Sequence, residues 1–418
     1  MRPRGWLTEA AAARPAAIAL QTPAEQLTYA ELAARALAAA SGLAARGVRP
    51  GELVAIECEP GVEFAVALHG AWLAGAVAMP IDPRLAAPER AVRLAGSPPQ
   101  AGAAGAVALR MFSSGTSAAP KPVDLTFANL KASAHGSAAV LGLDQEERWL
   151  CPLPLAHIGG LSVLIRSAIH ATTAVVHPSF DAHAVAAALH DERITLVSLV
   201  PTMLARLLDA GLERPPALRA ALLGGAAAPR ALLERAAAAG IPVAQTYGLT
   251  EAASQVATSR PGELDTVGEP LLGTDVAIAP DGEILIAGPT VAPGALGPDG
   301  WLHTGDLGAL DARGRLTVTG RTADTIVNGG ENVAPAEVEA ALLSHPAVAD
   351  VAVHGVPDPE WGEALVATVV PRDGMAPAPG ELRAHVAARL ARFKVPKDIR
   401  FQASLPRSES GKLLRREL

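Results

Sequence analysis

Short apolar runs alternate with longer Ala-rich stretches along most of the chain. Leu53 to Ile56, Thr195 to Val200 and Leu218 to Leu223 have the length of buried strands, and the stretches between them read as helices. This alternation, up to about residue 320, predicts α/β layering around buried sheets. Phe64 to Ile81 lacks Asp, Glu, Lys and Arg and approaches the length of a membrane span, but Ala, Gly, His69 and Pro80 dilute it. It reads as a buried helix running into a strand. The Gly/Ala/Pro-rich Pro98 to Ala106 leads into the strand-like Val107 to Phe112 and then a Ser/Thr/Gly-rich loop, placed at the mouth of a sheet.

Near residue 321 the texture changes. A turn at Gly329-Gly330 precedes a helix from about Pro335, with Glu337 and Glu339 in its first turns and an end at Pro346. Val348 to Val353 alternates like a half-buried strand, Arg372 to Gly380 reads as a flexible connection, and a second helix spans about Glu381 to Ala391. The expected fold class is α/β: a large N-terminal domain of layered sheets and helices, residues 1–321, with a small mobile α+β C-terminal domain, residues 322–418.

Composition narrows the class. The 418 residues exceed what one core usually holds, and 50% hydrophobic with 3% aromatic residues means a core of Ala, Leu and Val. A net charge of -7 argues against a nucleic-acid partner, so the basic residues Arg415 and Arg416 are a local feature. Cys58 and Cys151 are too few and too far apart for a disulfide framework, which fits a cytoplasmic protein with both thiols as small buried hydrophobes. Glu9 and Arg14 interrupt the apolar stretch a signal peptide requires, and neither export nor membrane insertion is expected. No solenoid repeat is visible. The sequence does not fix the oligomeric state; a homodimer is compatible with it.

Four motifs carry chemistry. Ser113 to Lys121, SSGTSAAPK, has small residues that let backbone approach an anion, hydroxyl donors and a lysine, without the order of a Walker A loop. A Ser/Gly-rich surface loop is the other reading. In Gln245 to Gln255, QTYGLTEAASQ, an exposed Tyr247 suits purine stacking, Thr250 a phosphate or carboxylate oxygen, and Glu251 Mg²⁺. Thr250 capping a helix would also explain the motif. In Gly300 to Arg321 a hairpin accounts for Asp311 to Gly314 but not for Asp306, whose carboxylate in a Thr-Gly-Asp turn suits ribose hydroxyls, with Arg321 as a second contact. Lys412 follows a glycine in a basic tail and by itself would be surface decoration.

Read in order, SSGTSAAPK, GGAAAP, YGLTE, HTGD, GRTADTIVNGGENVAPAEVE and SGKLLRREL resemble the core motifs of the acyl-adenylate-forming (AMP-binding) superfamily: acyl-CoA synthetases, peptide-synthetase adenylation domains and luciferases. TYAEL at Thr28 to Leu32 resembles its N-terminal motif, so the likeness covers nearly the whole chain. The resemblance implies that Ser113, Ser114, Gly115, Thr116, Ser117 and Lys121 hold the ATP phosphates, and that Gly224, Gly225, Ala226, Tyr247 and Gly248 frame the adenine. It implies Thr250 and Glu251 for the α-phosphate and Mg²⁺, and Asp306 with Arg321 for the ribose. Lys412 would bridge carboxylate and α-phosphate, supplying the positive charge that attack of one anion on another needs. Gly329 and Gly330 would approach the pantetheine arm of CoA after rotation about a hinge at Ala323. Departures are Ser117-Ala118 where Thr-Gly is usual, Pro122 in place of Gly, Ala323 in place of a charged hinge residue, and a short segment before Ser113.

Within the superfamily, Cys151 to Val175 and QTYGLTEAASQVAT resemble the o-succinylbenzoate:CoA ligases of menaquinone synthesis. That substrate has two carboxylates, so a pocket cation is expected, and Arg166 is the candidate; a solvent-facing helix arginine is the alternative. His157 and its Gly159-Gly160 turn would line the acyl pocket and the path of the thiol, with a satisfied core histidine as the other reading, and Gly248 and Thr250 would join it at the substrate. The expected co-substrates are ATP with Mg²⁺ and free CoA, since nothing resembles a carrier domain. A different aryl or acyl-CoA ligase, a free-standing adenylation enzyme and an inactive nucleotide-binding regulator are the competing functions. Amino-acid activators place an aspartate early in the pocket segment, where Ala156-His157-Ile158 has none, and retention of Lys412, Glu251 and Asp306 argues against a relic.

Overall fold

The computed structural model describes residues 5–95, 106–113, 121–328, 331–358, 362–407 and 413–418. Ser114 to Ser117, Gly329, Gly330 and Lys412 therefore lie outside the described residues. For Ser113 and Ala323 only the backbone is described, in a strand and in a 3-10 turn.

The largest sheet has nine strands. Ile18–Gln21, Thr173–Val176, Arg148–Cys151, Leu196–Leu199, Ala220–Leu223 and Val243–Leu249 run parallel across it, with antiparallel strands at both edges. The central strands Leu196–Leu199 and Ala220–Leu223 are buried at every position, as expected of a sheet covered by helices on both faces. A four-stranded sheet combines Leu53–Ile56, Val77–Pro80, Val107–Ser113 and Lys121–Thr126, and an antiparallel one combines Asp275–Ile278, Glu283–Ala287, Leu302–Leu310 and Leu316–Arg321. The uncharged run Phe64 to Ile81 falls in the largely buried helix Val62–Leu73 and the strand Val77–Pro80. Among the described residues no helix is long and apolar enough to cross a membrane.

Local rules explain several boundaries. Thr28 caps the helix Tyr29–Ala45 in a reciprocal box, its hydroxyl accepting from Glu31 N at 3.2 Å while Glu31 Oε2 accepts from Thr28 N at 2.9 Å. The few aromatics cluster: Trp6, Trp72 and Phe127 have ring centroids 5.4 to 5.7 Å apart, and buried His69 stands edge-on to Trp72 at 5.4 Å. Cys151 is buried, but Cys58 is only half-buried, because its loop leaves one side open to solvent.

Beyond Thr322 the strands Ile326–Asn328, Glu331–Val333, Val348–Asp358, Gly362–Pro371 and Asp398–Phe401 form a separate sheet, packed with Val338, Leu342, Leu382 and Val386 into its own core. Its helices are Pro335–Leu343 and Pro379–Ala387. Both begin at a proline, whose missing N–H costs nothing in the first turn. The first ends short of Pro346, since the residue before a proline is biased out of helix. The second starts two residues ahead of Glu381 and ends before Ala391. Arg415 ties the C-terminal tail back to Glu339 and, at 3.6 Å, to Asp324.

Candidate functional site

In an open α/β sheet, ligands bind beyond the carboxyl ends of the parallel strands. A cavity of about 670 Å³ lies there. Leu153 and Pro154, then Leu199 and Val200, then Gly224 and Gly225 follow successive strands of the large sheet onto its wall. Gly248 to Glu251 continue from the strand Val243–Leu249, Phe112 comes from the four-stranded sheet, and Leu302 to Gly305 with Arg321 come from the antiparallel sheet.

Of the residues expected at the site, His157, Gly224, Gly225, Gly248, Thr250, Glu251 and Arg321 line this cavity. His157 is the N-cap of the helix Ile158–His170 and is exposed to the cavity, so a satisfied core histidine does not describe it. Asp82 stands within electrostatic reach of it; hydrogen bonding from Arg84 first, and His157 to a smaller extent, holds the Asp82 carboxyl below its ordinary range. At Gly248 the hairpin folds back so closely that a Cβ would stand 1.7 Å from Ser254 O, which excludes any other residue without moving the strand.

Thr250 to Ala252 form a single 3-10 turn with Leu249 at its N-cap and no side-chain cap. The helix-capping explanation of Thr250 is thereby overturned: the antiparallel strand Ser254–Thr258 follows too soon for a helix to form. The Glu251 carboxylate has no cationic partner among the described residues, while its backbone carbonyl accepts from Ala292 N at 2.7 Å.

Asp306 lies just behind the wall, 4% exposed. It sits on the strand Leu302–Leu310 rather than in a free turn, directly after Gly305, whose φ of +67° places it in the left-handed region. One carboxylate oxygen accepts from the Tyr247 hydroxyl at 2.6 Å and the other meets Arg321 Nε at 2.6 Å. Tyr247 is thus half-buried and tethered, not exposed; burial first, and the Asp306 charge second, push its phenol well above the ordinary range. Tyr247, Ala226, Lys121 and Arg166 are not on the cavity wall.

Arg166 is 2% exposed, which removes the solvent-facing alternative. Its Nη2 donates to Ser133 Oγ at 3.2 Å, its guanidinium lies 5.5 Å from the Trp149 ring centroid, and Nε and Nη1 have no hydrogen-bond partner. Burial lowers its pKa to about 9. Trp149 in turn donates to Ser198 Oγ at 2.9 Å, and Ser198 is on the wall. Arg166 therefore stands one layer behind the cavity, roughly 9 Å along its helix from Gly160. Gln255, which is on the wall, also has a buried oxygen without a partner.

The sequence reading missed Arg93, Phe112, Gln255, His303 and Thr304 as lining residues. Thr304 and His303 belong to the HTGD motif and were within reach of motif reasoning; Arg93 carries no sequence signal. Hydrogen bonds that the His303 imidazole donates to the Glu283 and then the Asp299 carboxylate hold it above its ordinary pKa.

The AMP-binding enzyme profile matches residues 7–101 and 94–296, and the profile of the AMP-binding enzyme C-terminal domain matches residues 337–412. The chain is 37% identical over 477 aligned residues to the 2-succinylbenzoate--CoA ligase of Bacillus subtilis (strain 168), covering 99% of this chain and 97% of that protein. The solved structure of o-succinylbenzoate CoA synthetase from Bacillus subtilis in complex with the acyl-adenylate intermediate OSB-AMP superposes with a TM-score of 0.90 at 36% identity, covering 99% of this chain and 97% of the other. That of the same enzyme in complex with ATP and magnesium ion gives 0.89 at 36% identity, with 99% of each chain covered. By sequence over its whole length and by fold, the chain belongs to the AMP-binding enzyme family.

Proposed function

We propose that the chain is an AMP-forming acid:CoA ligase that activates o-succinylbenzoate as its acyl-adenylate and transfers the acyl group to CoA, a step of menaquinone biosynthesis. The observation that carries this is the convergence of His157, Thr250, Glu251 and Arg321 on one cavity beyond the strand ends, in a chain whose whole-length relatives are ligases of that name.

In the adenylation step a carboxylate oxygen of the acid attacks the α-phosphorus of ATP and pyrophosphate departs. Thr250 donates its hydroxyl to the α-phosphate or the acid, and Asp306 accepts the ribose hydroxyls beside Arg321, with Tyr247 holding the carboxylate in place. Mg²⁺ prefers one or two carboxylates plus substrate phosphates to an all-protein cage. Glu251 fits, an unpaired carboxylate on the wall, whereas no three His, Cys, Asp or Glu side chains among the described residues stand together to hold a metal. The ion would supply positive charge to the phosphates as pyrophosphate leaves. In the second step the CoA thiol sulfur attacks the acyl carbon and AMP departs, along a path lined by His157.

Arg166 is the cation for the aromatic carboxylate. A buried guanidinium with two unpartnered nitrogens is costly, and an incoming carboxylate or a bridging water would compensate it. The chain divides into residues 1–321 and 322–418, with the hinge at Ala323, Gly329 and Gly330 toward CoA, and Lys412 serving adenylation alone. Ser113 to Ser117 and Lys121 hold the phosphates, and Gly224, Gly225, Ala226 and Gly248 frame the adenine. ATP:pyrophosphate exchange across a panel of acids tests the reading: o-succinylbenzoate should support exchange best, and exchange with benzoate or fatty acids alone would refute the substrate. Lys412→Ala should abolish exchange while largely sparing thioester formation from supplied acyl-adenylate; equal loss in both would refute its role.

A further inference from the structure

The helix Ala87–Leu94 faces the protein with the wrong side for hydrophobic burial. None of its side chains is buried; Val92 and Leu94 point outward at 57% and 46% exposure, and the half-buried positions are Arg90 and Arg93. A surface helix normally sets its apolar stripe against the body. Some other interaction therefore favours arginines on the inner face. For Arg90 it is Glu57, at 3.5 Å.

Arg93 has no carboxylate partner among the described residues. Its Nη1 donates to Glu89 O at 3.1 Å, and its guanidinium lies over the Phe112 ring, 5.7 Å from the centroid. Arg93 and Phe112 both line the cavity. Phe112 pairs with Pro122, and the next pair along the same two strands is Ser113 with Lys121, the two ends of the candidate phosphate loop. A cation without a counterion among the described residues thus stands beside the described ends of that loop.

We infer that Arg93 is an anion-binding residue of the ligase site that takes the phosphate tail of ATP and the pyrophosphate formed from it; this rests on the ligase reading above. The ring and the Glu89 carbonyl hold the guanidinium in place, so less side-chain entropy is lost when a phosphate docks on its remaining N–H groups. The arrangement also explains the orientation of the helix, whose inner face is selected by charge rather than by burial.

The test is ATP:pyrophosphate exchange with o-succinylbenzoate, together with thioester formation from supplied acyl-adenylate, in the full chain and in Arg93→Gln and Arg93→Lys. Arg93→Gln should raise the KM for ATP and for pyrophosphate roughly tenfold, as for one lost charge-assisted contact. Arg93→Lys should recover part of that loss, and the constants for the acid and for CoA should not move. Unchanged ATP and pyrophosphate constants would overturn the inference, as would an equal rise for the acid, which would make Arg93 a scaffold residue. A rise confined to CoA would overturn it too, by moving the cation to the phosphates of the thiol substrate. If the wild type exchanges with a different acid only, the substrate reading fails, and the Arg93 comparison proceeds with that acid.

Discussion

Arg110 and Arg166 are both interior, at 3% and 2% exposure, and their surroundings treat them oppositely. Arg110 lies on the strand Val107–Ser113 of the four-stranded sheet and meets the carboxylate of Asp124, opposite it on the neighbouring strand, with two nitrogens, each at 2.7 Å. Arg166 lies on the helix Ile158–His170 with a serine hydroxyl and an aromatic face but no carboxylate among the described residues, and two of its nitrogens are unpartnered. A bidentate pair satisfies its own charge and stabilises the place where it sits. An unsatisfied buried cation contributes little to folding, since an apolar side chain of similar volume would cost less there. Under the ligase reading proposed above, the difference separates an arginine serving structure from one that serves a ligand.

The largest effect expected from this contrast is on stability, at Arg110. Arg110→Ala removes the bidentate guanidinium from the Asp124 carboxylate and should cost about 3 to 5 kcal/mol of unfolding free energy, with acid preference unchanged. Urea unfolding together with the acid panel checks both parts; a stable variant with altered acid preference would reverse the assignment. Arg166→Met should do the opposite. We expect unfolding free energy within about 1 kcal/mol of wild type, and a loss on the order of 2 to 5 kcal/mol of transition-state binding for o-succinylbenzoate. The same loss should follow from an analogue lacking the benzoate carboxylate, and combining both changes should cost less than their sum because one shared interaction is removed twice. Strict additivity in kcat/KM would break the contrast.

His69 sharpens it from a third side, as a buried group that discards its charge. Burial lowers its pKa to about 4, so between pH 4 and its ordinary value of 6.5 the unfolded chain binds more protons than the folded one. Stability from this group is fully present above pH 6.5 and is lost as the pH falls toward 4, by roughly 3 kcal/mol at most. His69→Gln should flatten that part of the stability profile measured by denaturant unfolding at several pH values, whatever its absolute stability. A variant profile with the wild-type slope would show that the group is not neutral in the fold.

Much of the fold was legible because its signals are local. The strand Leu53–Ile56 has the predicted bounds, the uncharged run Phe64 to Ile81 is a helix passing into a strand, and the first helix of the C-terminal part starts at the predicted Pro335. Proline, capping pairs and unbroken apolar runs act within a few residues, so the chain itself carries their outcome. The order of the motifs likewise placed the chain in its family, because the chemistry of adenylation needs those residue types on loops beyond strand ends.

The tertiary structure decided what lies between segments distant in sequence. Thr250 reads as a good cap, yet the returning strand leaves room for only a 3-10 turn. Tyr247 and Asp306 are 59 residues apart, and only the meeting of two sheets makes one hold the other. Periodicity states which positions share a face, but not what the rest of the fold sets against that face. For that reason Arg166 stays open in the sequence between a pocket cation and a solvent-facing helix arginine until its burial removes the second, and nothing in the sequence signals that Arg93 faces the cavity.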